Sequence, residues 1–420
     1  MRVSFPYGEK TIEAEICCEV LASKRMPVIE NLDQNILDSL ENPINSPPLT
    51  KLVKKANRVL IIIPDITRAC PTRILLKRVI SIIEECPDSE ITILIATGLH
   101  RPVTDPEKEK LVGKEVSKRY QVLNHEAKNA EDLIDLQRKT SFGTPIEVNR
   151  HVMSSDLVIA IGLIEPHFFA GYSGGRKALL PGVASADAIF NNHGYRMIGH
   201  QLSRCGILDG NPIHQDMLEF MKSTKLDFIV NVTLDKNKRV SGLFSGNPID
   251  AHLAGVRELD NYVRIPFREE ADIVITTNGG YPLDRDIYQA VKGMDIAAQV
   301  VRNNGVIIMV SECRDGLGGH EDFLRIVEGT STPEEILERI RALEPVFDQW
   351  EAQVLARVLS RARVIVVTEN ISPKILENFQ LMHAKSLEEA LEIAYNIVGR
   401  DAKTISIPEG PYIIPVKCKM

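Results

Sequence analysis

The fold is decided by the stretch RVLIIIPDITRACP at residues 58–71, where an apolar run leads directly into a polar turn. The run Arg58–Ile63 has the length and the β-branched content of a strand that is buried on both faces. An amphipathic helical pattern follows at Thr72–Glu85. A buried strand followed by a polar turn and a helix is the repeating unit of a parallel sheet. This stretch therefore predicts the first unit of an α/β protein.

The same unit recurs along the chain, because short runs rich in Val and Ile alternate with amphipathic stretches. Further strands are predicted at Ile91–Ala96, Asp156–Leu163, Phe228–Leu234, Asp272–Thr277, Val306–Val310 and Arg363–Val367. Further helices are predicted at about Ser185–Asn192, Pro212–Ser223, Pro248–Asn261, Arg285–Arg302, Gln349–Ser360 and Leu387–Val398. The predicted fold class is α/β with mostly parallel sheets.

The length of 420 residues indicates more than one domain, since a typical domain has about 150 residues. Segments 155–166 and 271–282 resemble each other and suggest equivalent strands in two sheets. The alternative, that any two buried strands look alike, stays open because short apolar runs carry little information. We place the boundary so that an N-terminal α/β domain spans residues 1–268 and a C-terminal α/β domain spans residues 269–420. A return of the last residues to the N-terminal domain is left open.

Composition argues against nucleic acid as a partner. The 57 acidic and 50 basic residues give a net charge of -7, which lacks the basic footprint of a nucleic-acid-binding protein. Aromatic residues make up 5 % of the chain, too few for a platform on which bases stack. We expect a small-molecule partner instead.

The cysteines and the apolar runs indicate a cytoplasmic protein. The seven cysteines are odd in number, scattered along the sequence and never spaced as C-x-x-C, which favours reduced thiols. The N-terminus MRVSFPYG lacks the apolar segment of an export signal. Uninterrupted apolar runs are only as long as strands, so no membrane span and no membrane partner is expected.

Polar residues follow the predicted strands, where open parallel sheets bind their ligands. Asp65, Thr67 and Arg68 follow the first strand, and the planar fork of Arg68 suits a carboxylate or a phosphate. The alternative is that Asp65 and Thr67 merely cap the next helix. The second strand ends in ATGLHRP at residues 96–102, where His100 is a candidate proton-transfer group or an ordinary loop histidine.

The densest motif is EPHFFAGYSGGRKALLPG at residues 165–182. Backbone amides of such a glycine-rich loop can hold an anion, and Arg176 and Lys177 add positive charge. The loop is not a Walker A motif, because Arg176 separates Gly175 from the lysine and no Ser or Thr follows it. The alternative is a glycine-rich turn with solvated basic side chains.

The remaining candidates are less specific. His193 ends the following helix and has no close histidine partner, so a zinc-protease site is not supported. Tyr288 and Lys292 share one face of a predicted helix, although a solvent-facing lysine is the ordinary case. Trp350, the only tryptophan, is more often a packing residue than a ligand contact.

Four motifs together resemble the nickel-dependent lactate racemase family, and the resemblance covers nearly the whole chain. They are Asp-x-Thr-Arg-x-x-Pro at 65–71, Thr-Gly-x-His-Arg at 97–101, His-Phe-Phe-Ala-Gly-Tyr-Ser-Gly-Gly-Arg-Lys at 167–177 and Tyr-Gln-x-x-Lys at 288–292. The resemblance implies two α/β domains with an active-site cleft between them. It also implies a nickel-pincer nucleotide, in which nickel is bound to a pyridinium-3-thioamide-5-thiocarboxylic acid mononucleotide.

The resemblance also implies a role for each matching residue. Lys177 would carry the cofactor covalently, His193 would complete the nickel coordination, and His100 and His167 would be the acid/base pair. The residues implied to bind the substrate are Arg68, Lys292, Tyr288 and Gln289. Those implied to bind the cofactor, besides Lys177, are Asp65, Thr67, Gly174, Gly175, Arg176 and Trp350. The implied partners are a 2-hydroxy acid substrate and the proteins that synthesise the cofactor.

The implied activity is racemisation or epimerisation of a 2-hydroxy acid by reversible hydride transfer. Removal of hydride avoids a carbanion next to a carboxylate, and the planar keto acid can accept hydride on either face. One alternative is a metal-dependent hydrolase or lyase that uses His100, His167 and His193. Another is a non-catalytic protein that binds or carries a nucleotide.

Overall fold

The structure is a computed structural model that describes residues 1–86 and 88–418. Its strands, numbered in chain order, are β1 Arg2–Tyr7, β2 Lys10–Glu15, β3 Glu19–Val20, β4 Arg58–Pro64, β5 Glu90–Ala96, β6 Gln121–Asn124, β7 Leu133–Lys139, β8 Pro145–Asn149, β9 Leu157–Leu163, β10 Pro166–His167, β11 Gly171–Tyr172, β12 Phe228–Leu234, β13 Val240–Gly246, β14 Arg264–Phe267, β15 Ala271–Thr277, β16 Val301–Val310, β17 Ala362–Val367, β18 Met382–Ala384, β19 Thr404–Ile407 and β20 Ile414–Lys417.

The α-helices are α1 Leu32–Glu41, α2 Leu49–Val53, α3 Thr72–Ile83, α4 Asp105–Val112, α5 Lys114–Arg119, α6 Arg150–Ser154, α7 Ala186–Asn192, α8 Tyr195–Ile198, α9 Pro212–Ser223, α10 Asp250–Val263, α11 Ile287–Ala298, α12 Glu321–Val327, α13 Pro333–Ala342, α14 Gln349–Leu359, α15 Pro373–Glu377 and α16 Leu387–Val398. Short 3-10 turns lie at Ala130–Asp132, Gly175–Ala178 and Gly410–Tyr412. No helix of the described residues is both long enough and apolar enough to cross a bilayer.

The first large sheet has the strand order β13-β12-β9-β4-β5-β6, and all its neighbours are parallel except β12 and β13. Its central strand β4 is buried on both faces. Ile61 and Ile63 pack against Leu75 and Leu76 of α3, while Ile62 belongs to the core on the opposite face. This two-sided burial explains why the strand is an unbroken apolar run.

The second large sheet has the order β18-β17-β16-β15-β19-β3, and all its strands are parallel. The α/β fold class with largely parallel sheets is therefore confirmed. The two segments that resemble each other in sequence form β9 and β15, which are interior strands of the two different sheets.

The N-terminal residues pack with the second sheet. Strands β1 and β2 form an antiparallel hairpin, and β3 pairs with β19 at the edge of the second sheet. Val3 and Phe5 alternate onto one face of β1 and pack in the core with Ile273 and Ile308. This alternation is the period of a half-buried strand. Near the C-terminus, β20 pairs with β14.

The predicted elements are present, with shifts at their ends. The bounds of Phe228–Leu234, Pro212–Ser223 and Leu387–Val398 are as predicted. The bounds predicted for the helix at Arg285–Arg302 are wrong at both ends. Asp286 caps a helix that begins at Ile287 and ends at Ala298, and strand β16 already begins at Val301.

An open cleft of about 840 Å³ lies between the two sheets. It is lined by the segment after β9, including Glu165 and Pro166, and by the segment after β15, including Gly279 and Gly280. The carboxyl ends of β9 and β15 therefore face one cleft, which is where open α/β sheets bind ligands.

Candidate functional site

Three neighbouring strands bring the predicted site residues to one edge of the first sheet. Strands β9, β4 and β5 lie side by side, and they are followed by His167, Asp65 and His100, respectively. After β4 the chain first forms β5 on one side of β4 and later forms β9 on the other side. The strand order therefore reverses at β4, which makes this end of the sheet a topological switch point.

Asp65 positions His100. Nδ1 of His100 lies 2.7 Å from Oδ2 of Asp65, and the hydroxyl of Thr67 donates to Oδ1 of Asp65 at 2.6 Å. Burial alone raises the pKa of Asp65, but the hydrogen bond with His100 and the charge of Arg68 bring it below its ordinary value. An ionised Asp65 accepts from Nδ1–H and leaves Nε2 of His100 free. Neither Asp65 nor Thr67 caps α3, whose N-cap is Pro71.

The glycine-rich loop brings Lys177 to His167. Nζ of Lys177 lies 3.1 Å from Nε2 of His167, and the amide of Ala170 donates to Nδ1 of the same ring at 3.3 Å. The ring of His167 also packs against Phe168 and Phe169, with centroids 5.0 and 4.5 Å away. The imidazole and the amine thus share one apolar-walled pocket.

Both groups are driven towards their neutral forms. Burial lowers the pKa of Lys177 well below its ordinary value, and the charges of Arg68 and Arg176 add to the effect. Burial also lowers the pKa of His167, with further contributions from Lys177 and Arg68. A neutral amine is a nucleophile, and a neutral imidazole is a base.

The glycines set the shape of the loop. Gly174 and Gly175 have φ of 80° and 54°, values that favour glycine. A Cβ on Gly174 would lie 2.8 Å from Oδ1 of Asn231, the atom that accepts from the Gly175 amide at 2.8 Å. The NH2 of Arg176 donates to the carbonyl of Ala170 at 2.9 Å, and its NH1 lies 3.3 Å from the carbonyl of Gly174. The structure thus gives Arg176 the task of holding the loop.

His193 is held by a chain of buried polar groups. Its Nδ1 lies 2.9 Å from Oδ1 of Asn192, and Nδ2 of Asn192 donates to Asp216 at 2.7 Å. Asp216 also accepts from Thr140 and Thr144. Since Nδ1–H donates to Asn192, Nε2 is the free nitrogen. Burial lowers the pKa of His193, which favours the neutral form that binds metals.

Aromatic side chains join His193 to the rest of the site. The ring of His193 meets Phe169 edge to face at 4.9 Å and Trp350 at 5.3 Å. Trp350 is 8 % exposed and lies on α14, in the C-terminal part of the chain. Phe169 therefore lies between His167 and His193, with Trp350 opposite.

The second sheet contributes Lys292 from α11. Its Nζ donates to Oε1 of Gln289 at 2.6 Å and lies 5.9 Å from the centre of the Phe168 ring. Lys292 is half-buried and is not the solvent-facing side chain considered in the sequence. Burial lowers its pKa, which the neighbouring Glu351 opposes.

Tyr288 is fixed by a pair of residues that sequence reasoning missed. Its hydroxyl donates to Oδ1 of Asp348 at 2.5 Å, and Oδ2 of Asp348 lies 2.6 Å from Nδ1 of His320. The His320 ring stacks on Tyr288 with centroids 3.5 Å apart. Burial raises the pKa of Tyr288 well above its ordinary value, so the phenol keeps its proton.

Arg68 is the electrostatic link between the two halves of the site. Its charge lowers the pKa of Asp65, of His167, of Lys177 and of Lys292. The guanidinium itself is exposed. A guanidinium at this position is suited to an anionic ligand.

Comparison with known proteins identifies the family. The family model of the lactate racemase N-terminal domain matches residues 7–206. The family model of the lactate racemase C-terminal domain matches residues 267–415. The chain belongs to the lactate racemase family. Curated lactate racemases from Thermoanaerobacterium thermosaccharolyticum and Lactiplantibacillus plantarum are each 38 % identical to this family member. The alignments cover 98 % of this chain and 98 % and 99 % of the respective relatives.

Solved structures agree with this assignment to the lactate racemase family. The lactate racemase apoprotein from T. thermosaccharolyticum matches with a TM-score of 0.94 and 36 % identity, over 99 % of this chain and 100 % of that chain. A protein from Thermotoga maritima, at 20 % identity, matches with a TM-score of 0.68 over 92 % of this chain and 98 % of that chain. The second likeness shows the fold alone.

Sequence reasoning missed several residues of this lactate racemase family member. Asn192 directly precedes His193, and Asp348 lies two residues before Trp350. Sequence reasoning selected His193 and Trp350, so closeness in sequence was the signal that could have found Asn192 and Asp348. Asp216 and His320 had no such signal, because folding alone brings them to the site.

Proposed function

We propose that the chain racemises or epimerises a 2-hydroxy acid. It works with a nickel-pincer nucleotide attached to Lys177, with His193 as the protein ligand of nickel and His100 and His167 as the acid/base pair. The observation that carries the proposal is the cluster in which Lys177 contacts His167 and Phe169 joins His167 to His193.

The residues present fit this cofactor. A nickel ion that is already held by carbon and sulfur donors needs only one imidazole, and the free Nε2 of His193 supplies it. The tautomer is fixed by Asn192, as is usual for metal-binding histidines. Lys177 is half-buried and offers an amine that is biased towards its neutral form. When bound, the cofactor supplies an electron-poor centre that takes and returns the hydride.

His100 and His167 move the hydroxyl proton. Nδ1 of His100 is hydrogen-bonded to the Asp65 carboxylate. Nε2 of His100 can therefore accept a proton, and the carboxylate stabilises the positive charge that results. His167 is half-buried, accepts from the Ala170 amide at Nδ1 and lies against Lys177 through Nε2. Two bases in different surroundings can serve the two enantiomers.

Arg68 and Lys292 bind the substrate carboxylate. Arg68 offers a planar pair of donors, and Lys292 is held in place by Gln289. The hydroxyl of Tyr288, anchored on Asp348, completes the polar wall. Asp65, Thr67, Gly174, Gly175 and Trp350 remain proposed cofactor contacts.

The alternative of a metal-dependent hydrolase or lyase needs several protein ligands around one ion. Across residues 1–86 and 88–418, no group of three or more His, Cys, Asp or Glu side chains is placed to hold a metal ion. His193 contacts Asn192, Phe169 and Trp350 instead of a second metal-binding side chain. The racemase proposal therefore fits these residues better.

We further propose that the protein works in the cytoplasm and receives its cofactor from separate biosynthetic proteins. The seven cysteines are free thiols in the structure, as expected for a reducing compartment.

The test is chiral chromatography with protein that is produced together with the cofactor-synthesising proteins. Each enantiomer of lactate, and then of a panel of larger 2-hydroxy acids, is incubated with the loaded protein. We expect one enantiomer to convert into an equal mixture, with a trace of the keto acid. Loaded protein that inverts no member of the panel would overturn the proposal.

A further inference from the structure

A buried carboxylate joins the starts of three helices that are far apart in sequence. Asp348 is 1 % exposed and directly precedes α14. Its Oδ1 accepts from the hydroxyl of Tyr288 at 2.5 Å, and its Oδ2 lies 2.6 Å from Nδ1 of His320. Tyr288 is in the first turn of α11, and His320 directly precedes α12. These contacts therefore tie α11, α12 and α14 to one another.

His320 supplies what Asp348 does not obtain elsewhere. Across residues 1–86 and 88–418, no other basic side chain has a nitrogen within 4.0 Å of this carboxylate. Tyr288 is its other hydrogen-bond partner. A buried carboxylate that keeps only one donor is costly, so the loss of His320 favours a different arrangement of Asp348.

The same carboxylate fixes the direction of two protons. A carboxylate oxygen accepts and does not donate, so Nδ1 of His320 carries its hydrogen and the phenol of Tyr288 directs its proton at Asp348. Burial, above all, raises the pKa of Tyr288, and the indole of Trp350 opposes this rise by hydrogen bonding. An N–H group that faces the phenol oxygen has this effect. The phenol oxygen is therefore an acceptor for the indole of Trp350.

Ring contacts hold the same unit. The ring of His320 stacks on Tyr288, with centroids 3.5 Å apart and an angle of 7° between the planes. Phe323 meets the ring of Tyr288 edge to face at 5.5 Å. The imidazole of His320 therefore holds Tyr288 in two ways, at the ring by stacking and at the hydroxyl through Asp348.

The start of helix α14 depends on these contacts. The φ of Asp348 is 64°, in the left-handed region that is unfavourable for a residue with a Cβ. Aspartate commonly caps a helix at this position, but the side chain of Asp348 makes no cap hydrogen bond, because it is bound to Tyr288 and His320 instead. Trp350 lies in the turn that follows and meets the ring of His193 at 5.3 Å. Asp348 thus sets the start of the helix that carries Trp350.

We propose that His320 is a positioning residue that acts on Trp350 through the carboxylate and the phenol. It thereby fixes the place of the tryptophan that packs against His193. The inference rests on the proposed function in one respect, namely that Trp350 contacts the cofactor for which His193 is the protein ligand. It assigns a role to a histidine that belongs neither to the acid/base pair nor to the metal site.

The first test uses the apoprotein and is independent of the proposed activity. Trp350 is the only tryptophan of the chain, so the fluorescence emission reports on this residue alone. His320→Phe keeps a ring on Tyr288 and removes the donor to Asp348, whereas His320→Asn removes the ring and keeps an N–H donor. We expect a red shift of the emission and stronger quenching by acrylamide in His320→Phe. His320→Asn should resemble the wild type, and so should His200→Phe, the same change at an exposed histidine.

A double-mutant cycle in the loaded enzyme tests whether His320 acts through the phenol. His320→Phe should lower kcat/KM at least about tenfold, the usual effect of losing a group that orients the surroundings of a metal. In the Tyr288→Phe background, which lacks the phenol, the same change should lower kcat/KM less than about twofold. A residue that acts through another has little effect once that other group is gone.

The outcomes separate this inference from the proposed function. Loaded wild-type protein that racemises nothing would contradict the function, but the emission spectra would still show whether His320 positions Trp350. Wild-type emission in His320→Phe, an equal red shift in both His320 variants, or equal fold-losses with and without the phenol would overturn the inference. If circular dichroism shows that His320→Phe does not fold, Asp348→Asn takes its place, since it removes one acceptor at unchanged size, and its emission should shift in the same direction.

Discussion

Nζ of Lys177 lies 3.1 Å from Nε2 of His167, so the proposed cofactor anchor touches one of the two proposed bases. The contact is walled by Phe168 and Phe169 and lies beside the charge of Arg68. In the protein without cofactor, the amine and the imidazole therefore hold each other in place.

Lys177 should react with a small acylating reagent at a lower pH than surface lysines. Its pKa is lowered by burial and by Arg68 and Arg176, so its amine is neutral over a wider range of pH. Peptide mass mapping after a short pulse of cyanate gives the extent of reaction at each lysine. Lys51 and Lys128 are internal controls. A reaction at Lys177 that follows the same pH curve as these two lysines would contradict the prediction.

His100→Ala and His167→Ala should each lower kcat by about 10²–10⁴-fold, the usual effect of removing a positioned acid or base. Asp65→Asn should also lower kcat, because it removes the charge that orients His100. His200→Ala is the control, since His200 is exposed. Chiral assays of the loaded variants measure the effect, and circular dichroism checks the fold. Unchanged turnover in His100→Ala or His167→Ala removes that histidine from the pair.

Asn192→Leu should weaken nickel retention about 10–100-fold, as expected for loss of a group that orients a metal-binding histidine. The variant removes the acceptor on Nδ1 of His193 and leaves Asp216 without one of its donors. Elemental analysis of loaded protein after dialysis against a chelator gives the nickel content without an activity assay. Asn42→Leu, the same change at an exposed asparagine of the first half of the chain, is the control. Equal nickel contents in the wild type and Asn192→Leu would contradict the role of Asn192.

Glu351→Gln should stabilise the protein at alkaline pH. Burial raises the pKa of Glu351 from 4.5 to about 8, although Lys292 opposes the shift. The folded chain holds this proton more tightly than the unfolded chain, so wild-type stability falls as pH rises from 4.5 to about 8.

Urea unfolding of the wild type and of Glu351→Gln at about pH 5 and about pH 9 measures this effect. The quantity of interest is the free energy of unfolding of the variant minus that of the wild type. This difference should be larger at about pH 9 than at about pH 5 by a few kcal/mol, since about 1.4 kcal/mol corresponds to one pKa unit. A difference that is independent of pH would show that Glu351 titrates normally.

The fold was predictable from the sequence because its central strands are buried on both faces. Strand β12 has the predicted bounds, since an unbroken apolar run allows few other interpretations. The hairpin of β1 and β2 was not predicted. Val3 and Phe5 alternate with more exposed residues in a strand of six residues, and their burial depends on packing against the second sheet, which lies far away in sequence. The same applies to β3, which has two residues.

The candidate site was predictable where its residues directly follow strands. Asp65, His100 and His167 met that condition, and parallel neighbours bring them to one edge of the sheet. Arg176 was selected for its charge, but its burial behind the loop depends on side-chain direction, which the sequence does not give. Asp216 and His320 act through contacts between distant segments.

The central claim is that Lys177 carries the cofactor. The most direct test uses protein that is produced together with the cofactor-synthesising proteins. Intact-mass and peptide mass spectrometry locate any added mass, and elemental analysis gives the nickel content. We expect an added mass on the peptide that contains Lys177, equimolar nickel, and loss of the added mass in Lys177→Arg. Unmodified Lys177 in protein that racemises a 2-hydroxy acid would contradict the claim.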